Sequence, residues 1–191
     1  MIQTNRARWL ALAAIAVLQS GVLAYMVYDR VNLLATGREI TLPVVPVDPR
    51  SLFRGDYVIL DYDIRRLDAP EATPALRKGE KVFVTIAETE TGWKAVAADR
   101  RHPGEPGAGR AVLKGRVERA WRKGSSGNGM TNLTVRYGIE SYFVPEGEGK
   151  ELEAKVRDRK IAALIALGAA GTAAIKGLRV EGEAVRLEPL L

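Results

Sequence analysis

The sequence predicts a mainly β protein, in which a single N-terminal transmembrane helix leads into an antiparallel β-rich domain, a sandwich or a partly open barrel, with one short helix. Three observations predict it. A charge-free run of 20 residues stands near the start, stretches of period two recur through the remainder, and Gly and Pro interrupt those stretches at short intervals. The implied division is a membrane anchor over 1–30, a juxtamembrane linker over 31–38 and an exported β-rich domain over 39–191.

The anchor is the run Trp9 to Tyr28, WLALAAIAVLQSGVLAYMVY. At about 1.5 Å per residue a helix of that length crosses a hydrocarbon layer of ~30 Å. Its Leu, Ile and Val residues favour insertion more than Gln19 and Ser20 oppose it. Arg6 and Arg8 precede the run, whereas Asp29 and Arg30 follow it and nearly cancel, so the positive-inside bias sets the N-terminus in the cytoplasm and exports the rest. A cleaved signal peptide ending after Ala24 is the competing reading. Ala16, Ser20 and Ala24 follow one another at helical spacing with Gln19 beside them, a small-residue face on which the helix of another integral membrane protein would pack. An alanine-rich anchor contacting lipid alone has the same appearance.

The exported part opens with REITLPVVPV (38–47), which Pro43 and Pro46 restrict to an edge strand. Asp48, Pro49, Arg50 and Ser51 have turn chemistry, and Gly55 permits the bend that follows. From Tyr57 the alternation resumes: Val58, Leu60, Tyr62 and Ile64 are expected to face the core, and Tyr57, Ile59, Asp61 and Asp63 to face outward. Further strands are expected at 81–88, 92–97, 111–120 and 131–138. Residues 150–158 carry helix formers and Glu-to-Lys spacing and are expected to form the short helix. Over 161–187, Gly168, Gly171, Gly177 and Gly182 favour a strand, a turn near 168–171 and returning strands.

Composition narrows the function classes. With 47% hydrophobic and 27% charged residues the 191-residue chain is expected to fold, and the absence of Cys excludes disulfides, thiolate metal sites and a cysteine nucleophile. The net charge is +6, yet no basic run of five occurs and the cations are interleaved with acids, so a solvated mixed-charge surface is favoured and no nucleic-acid partner is expected. No cofactor and no metal site are expected, because the acids at 140, 146, 148 and 151 do not have the spacing of an EF-hand loop. Ser51 is a poor nucleophile candidate, since the only His, His102, sits in a remote loop. Asp48, Arg50, Arg54 and Asp56 place two acids and two bases on one turn. A polar pocket would arise if Glu140, Tyr142 and Glu146, from a distant stretch, came to lie beside that turn and Tyr57. The candidate binding surface is therefore Arg50, Arg54, Asp56, Tyr57, Glu140, Tyr142 and Glu146, and no residue is assigned a catalytic role.

Residues 55–62, GDYVILDY, match the pattern Gly-Asp-Tyr-x-x-Leu-x-Tyr in full, and PVDPRSLFR before it and VRYGIESYFVPEGEGKELE (135–153) after it add to the match. In these stretches the chain resembles the GDYXXLXY family of bacterial membrane-anchored proteins. The resemblance implies one N-terminal helix in the bacterial inner membrane and a periplasmic β-rich domain, and it implies no activity. Ser51 stands where an acidic residue is familiar in that family. The expected role is a binding or assembly module, with the lipid bilayer and other integral membrane proteins as partners. A cell-envelope hydrolase using the charged turn with Glu140 or Glu146 is the alternative.

Overall fold

The computed structural model describes residues 3–45, 57–70, 76–122, 130–143, 161–180 and 183–187. The apolar run lies within one α-helix, α1 (Gln3–Thr36), whose 34 residues extend for roughly 50 Å at 1.5 Å each. The span Arg6–Thr36 is long and apolar enough to cross a membrane. Residues 31–36, expected as part of a linker, are its last turns. The reason is local packing: Leu34 is buried against Ala166 and Ala174 with Leu33 alongside, and those small alanines let the helix approach. The helix stops at Gly37, whose N–H donates to the Leu33 carbonyl at 2.9 Å. A side chain there would stand 2.5 Å from that same carbonyl, so only glycine fits.

Eleven strands follow among the described residues, all paired antiparallel. They are β1 (Arg38–Pro43), β2 (Tyr57–Ile59), β3 (Arg66–Pro70), β4 (Lys81–Thr89), β5 (Gly92–Asp99) and β6 (Arg110–Arg122). The others are β7 (Met130–Arg136), β8 (Ser141–Phe143), β9 (Ile161–Leu167), β10 (Ala173–Val180) and β11 (Glu183–Leu187). One sheet runs β1-β9-β10-β11, a second β3-β7-β6-β4-β5, and a two-stranded ribbon joins β2 to β8. In keeping with Pro43, β1 lies at a sheet edge. Backbone bonds prolong two of these pairings, Val44 to Ile161 at 3.0 Å and Leu60 to Glu140 at 2.9 Å, and two others join the sheets: Lys114 in β6 to Gly171 in the turn before β10 at 2.8 Å, and Val45 after β1 to Asp61 after β2 at 2.9 Å. The result is a nearly closed antiparallel barrel around a single core drawn from all three sheets.

The strands expected over 81–138 and after 161 are present, with their bounds displaced by at most a few residues. The glycine turn near 168–171 holds as well, with Gly171 at φ +80°. The stretch after Tyr57 departs from expectation. Only β2 is strand; the chain then bridges Val45 through Asp61 and coils into a 3₁₀ turn over Asp63–Arg65 before β3 begins. Leu60, Tyr62 and Ile64 face the core as alternation requires, and Ile59 and Asp63 face out. Asp61, expected outward, is 1% exposed. The short helix expected at 150–158 lies outside the described residues.

Candidate functional site

Residues 57–59 pair with 141–143, whereas the charged turn over 48–56 lies outside the described residues. Tyr57 pairs with Phe143, Val58 with Tyr142 and Ile59 with Ser141, so the ribbon is a seam between the 57–65 and 137–143 segments. Two buried tyrosines fasten it reciprocally. The Tyr62 hydroxyl donates to the Ile139 carbonyl at 2.8 Å, and the Tyr137 hydroxyl donates to the Ile64 carbonyl at 2.7 Å. Both phenols titrate well above the ordinary tyrosine value, chiefly because burial disfavours the phenolate; next come the negative charge of Glu140 and, for Tyr62, of Asp61, with Arg65 opposing.

Space for Tyr137 comes from Gly115 in β6. A side chain at that position would meet Val135 at 2.5 Å, the Arg136 carbonyl at 2.9 Å and the Tyr137 ring at 3.0 Å. Past Tyr137 the chain breaks at Gly138, φ +86°, so the strand does not continue into Glu140. Glu140 instead closes this turn: its two oxygens accept the N–H of Tyr137 at 2.6 Å and of Gly138 at 2.8 Å.

A charge cluster sits beside the seam. Arg65 donates to Asp61 at 2.7 Å, to Glu118 at 2.7 Å and through Nε to the Val135 carbonyl at 3.3 Å, with Glu140 3.9 Å away. Arg66 holds the second oxygen of Asp61 at 2.5 Å. Burial acts to lower the Arg65 value, but the hydrogen bond and charge of Asp61, followed by Glu140 and Glu118, outweigh it and hold the guanidinium more firmly protonated. The bent backbone makes this geometry available. Asp61 and Arg65 stand four apart, a spacing that brings side chains together on a coil and separates them on a strand. That spacing, in DYDIRR, is the sequence signal by which the cluster could have been found.

Of the candidate surface residues, Arg50, Arg54, Asp56 and Glu146 lie outside the described residues, as does the side chain of Tyr57. Ile59 and Phe143, on the outer face of the ribbon, are both exposed. Tyr142 belongs to the core at 2% exposure, because it sits opposite Val58 on the inner face of the ribbon rather than on an outward surface. Among the described residues no group of three or more His, Asp or Glu is arranged to hold a metal ion.

A second feature lies on the outer face of the larger sheet, and no run of adjacent residues announces it. Lys81, Arg116 and Arg136 stand opposite one another across β4, β6 and β7, and all three are exposed. Arg116 donates to the Gly79 carbonyl at 3.1 Å and Lys81 rests over the Phe83 ring at 4.9 Å; none of the three has a carboxylate partner among the described residues. Like charges placed directly across strands repel, so anionic groups beside the row would be favourable.

A family model described as "GDYXXLXY protein" matches residues 19–178, from inside α1 through most of β10. No curated protein and no solved structure matches the chain.

Proposed function

Because the chain belongs to the GDYXXLXY protein family, we propose for it the role of a single-pass, membrane-anchored binding or assembly module. Its β domain projects into the periplasm of a bacterium and works beside integral membrane partners. The observation that carries this reading is α1: its apolar side chains from Trp9 to Tyr28 are exposed, while its last turns are packed into the domain. Water is a poor solvent for such a shaft and lipid a good one. Trp9 lies 19 residues before Tyr28, roughly 28 Å along the axis, which is about the separation of the two interfaces that aromatic side chains favour.

Two surfaces support a binding role. Ala16, Ser20 and Ala24 are exposed along α1 at helical spacing, a face suited to a second helix. The row of Lys81, Arg116 and Arg136 offers an anionic segment of a partner three aligned cations, of which the arginines can grip carboxylates in pairs. A hydrolase drawing on Glu140 has less support, because both oxygens of that carboxylate already hold backbone amide hydrogens.

The test has two arms. Protease applied to the outer side of intact cells with a permeabilised outer membrane should digest the β domain and spare the N-terminus; a protected domain would reverse the orientation. Crosslinking in membranes should then capture defined integral membrane proteins. That pattern should change when Ala16, Ser20 and Ala24 are all Leu, or when Lys81, Arg116 and Arg136 are all Gln. An identical pattern in both variants would remove both surfaces from the reading.

A further inference from the structure

We propose that the foot of α1 carries a binding site for the headgroup of an amine-bearing, zwitterionic phospholipid. This rests on the membrane reading above and adds a ligand to it. A cleft of about 650 Å³ opens where the helix meets the domain. Asp29, Asn32 and Thr36 line it from the helix, Arg38 from the start of β1, and His102 and Glu105 from the loop between β5 and β6; residues of the turn between β9 and β10 complete the lining.

Depth is the first argument. The apolar run ends at Tyr28, and Asp29 to Thr36 rise only about 10 Å along the axis. The polar layer of a bilayer adds roughly 5 to 8 Å on each side of the hydrocarbon. The mouth of the cleft thus stands at the level of the headgroups of the adjacent leaflet, and the loop carrying His102 and Glu105 comes down to meet them.

Charge is the second argument. Asp29 and Glu105 are carboxylates and Arg38 is a guanidinium, so the walls carry both signs with one negative charge in excess. Arg38 uses one N–H on the Arg110 carbonyl at 2.8 Å and keeps further donors for a phosphate. A headgroup with an ammonium as well as a phosphate answers both signs, whereas one with a phosphate and only hydroxyls leaves the two carboxylates unanswered and is repelled by them.

Hydrogen bonding is the third. His102 Nδ1 accepts the Gly104 N–H at 3.1 Å, which leaves Nε2 as the protonated nitrogen. That Nε2 is the one buried side-chain polar atom among the described residues with no hydrogen-bond partner. The ring stands edge-on to Phe83 at 5.3 Å and shields Nε2, so this donor answers a phosphate oxygen when the ring turns toward the cleft.

The experiment uses the full chain in nanodiscs containing equal amounts of phosphatidylethanolamine and phosphatidylglycerol, followed by native mass spectrometry of the lipid retained. The expected result is a several-fold enrichment of phosphatidylethanolamine. The enrichment should fall to parity in the pair Asp29→Asn with Glu105→Gln, and retention of either lipid should fall in Ala170→Trp, which fills the cleft from an exposed turn position. Urea midpoints matching the parent show that these variants fold. Parity in the parent, or unchanged enrichment in the variants, overturns the proposal. Binding of soluble glycerophosphoethanolamine to the detergent-solubilised chain as tightly as the lipid overturns lipid as the occupant. Flotation with vesicles separates the two levels: a chain that floats but shows no preference loses only the cleft, and one that fails to float loses the membrane reading with it.

Discussion

The seam between β2 and β8 and the shaft of α1 stand at opposite ends of one scale. At the seam polar groups are buried and answered: Asp61 has two arginines, Arg65 has two carboxylates and a carbonyl, and each tyrosine hydroxyl has a carbonyl. On the shaft large apolar side chains are exposed and nothing among the described residues covers them. A region that completes its own interactions holds the fold. One that leaves them incomplete shows which environment the fold was made for. The family signature falls on the first kind of region, since its Leu60 and Tyr62 are buried structural residues.

The largest blow to the seam should come from Asp61→Ala. It strips the buried carboxylate from two guanidiniums, one of them largely buried, and such losses cost about 3–5 kcal/mol. Urea unfolding of the full chain in detergent would measure it, and a cost below about 1 kcal/mol would rank the pair with ordinary surface ion pairs. Next comes Gly115→Val, expected to cost about 1–3 kcal/mol or more, because the Arg136 carbonyl stands in the way as well as side chains. An unchanged midpoint there would show that the strand yields freely.

Tyr62→Phe should cost about 1–2 kcal/mol through the orphaned Ile139 carbonyl. It also sharpens the comparison through pH. Both buried phenols are raised above the value of 10.0 expected when unfolded, so the folded chain holds those protons more tightly. Their contribution is complete below pH 10 and declines as pH climbs beyond it. With one of the two groups removed, the alkaline decline of the urea midpoint should become shallower. The same slope in both proteins would dismiss Tyr62 as a contributor.

The smallest effect should be on the sheet face. Arg116→Thr relieves repulsion from Lys81 and Arg136 and is expected to leave stability unchanged or raise it by a few tenths of a kcal/mol. A clear loss would mean that the row is stabilised within the chain and does not await a partner.

Much of the barrel was legible because strands half-buried in an antiparallel sheet announce themselves by alternation, and glycines such as Gly168 and Gly171 mark their reversals. Asp61 was not, because alternation presumes an extended chain. Once the backbone bends after Ile59, a residue that should point outward turns in toward Arg65 and Arg66. The end of α1 was hidden for a related reason: Asp29 and Arg30 look like a terminus, and the docking of Leu34 depends on Ala166 and Ala174, more than a hundred residues away. The aligned cations were concealed by register, which no local window contains. Four of the seven candidate surface residues fall outside the described chain, so the charged turn stands where sequence left it.

One consequence follows from the joint at Gly37. Leu33 and Leu34 pack the last turn of the helix against Ala166 and Ala174 of the barrel, and β1 begins directly after Gly37. Apolar helices lean when the surrounding bilayer is thinner than they are long. On the membrane reading proposed above, a helix docked in this way would carry its own tilt into the barrel, and a thinner bilayer would register as a change in the angle at which the domain stands above it.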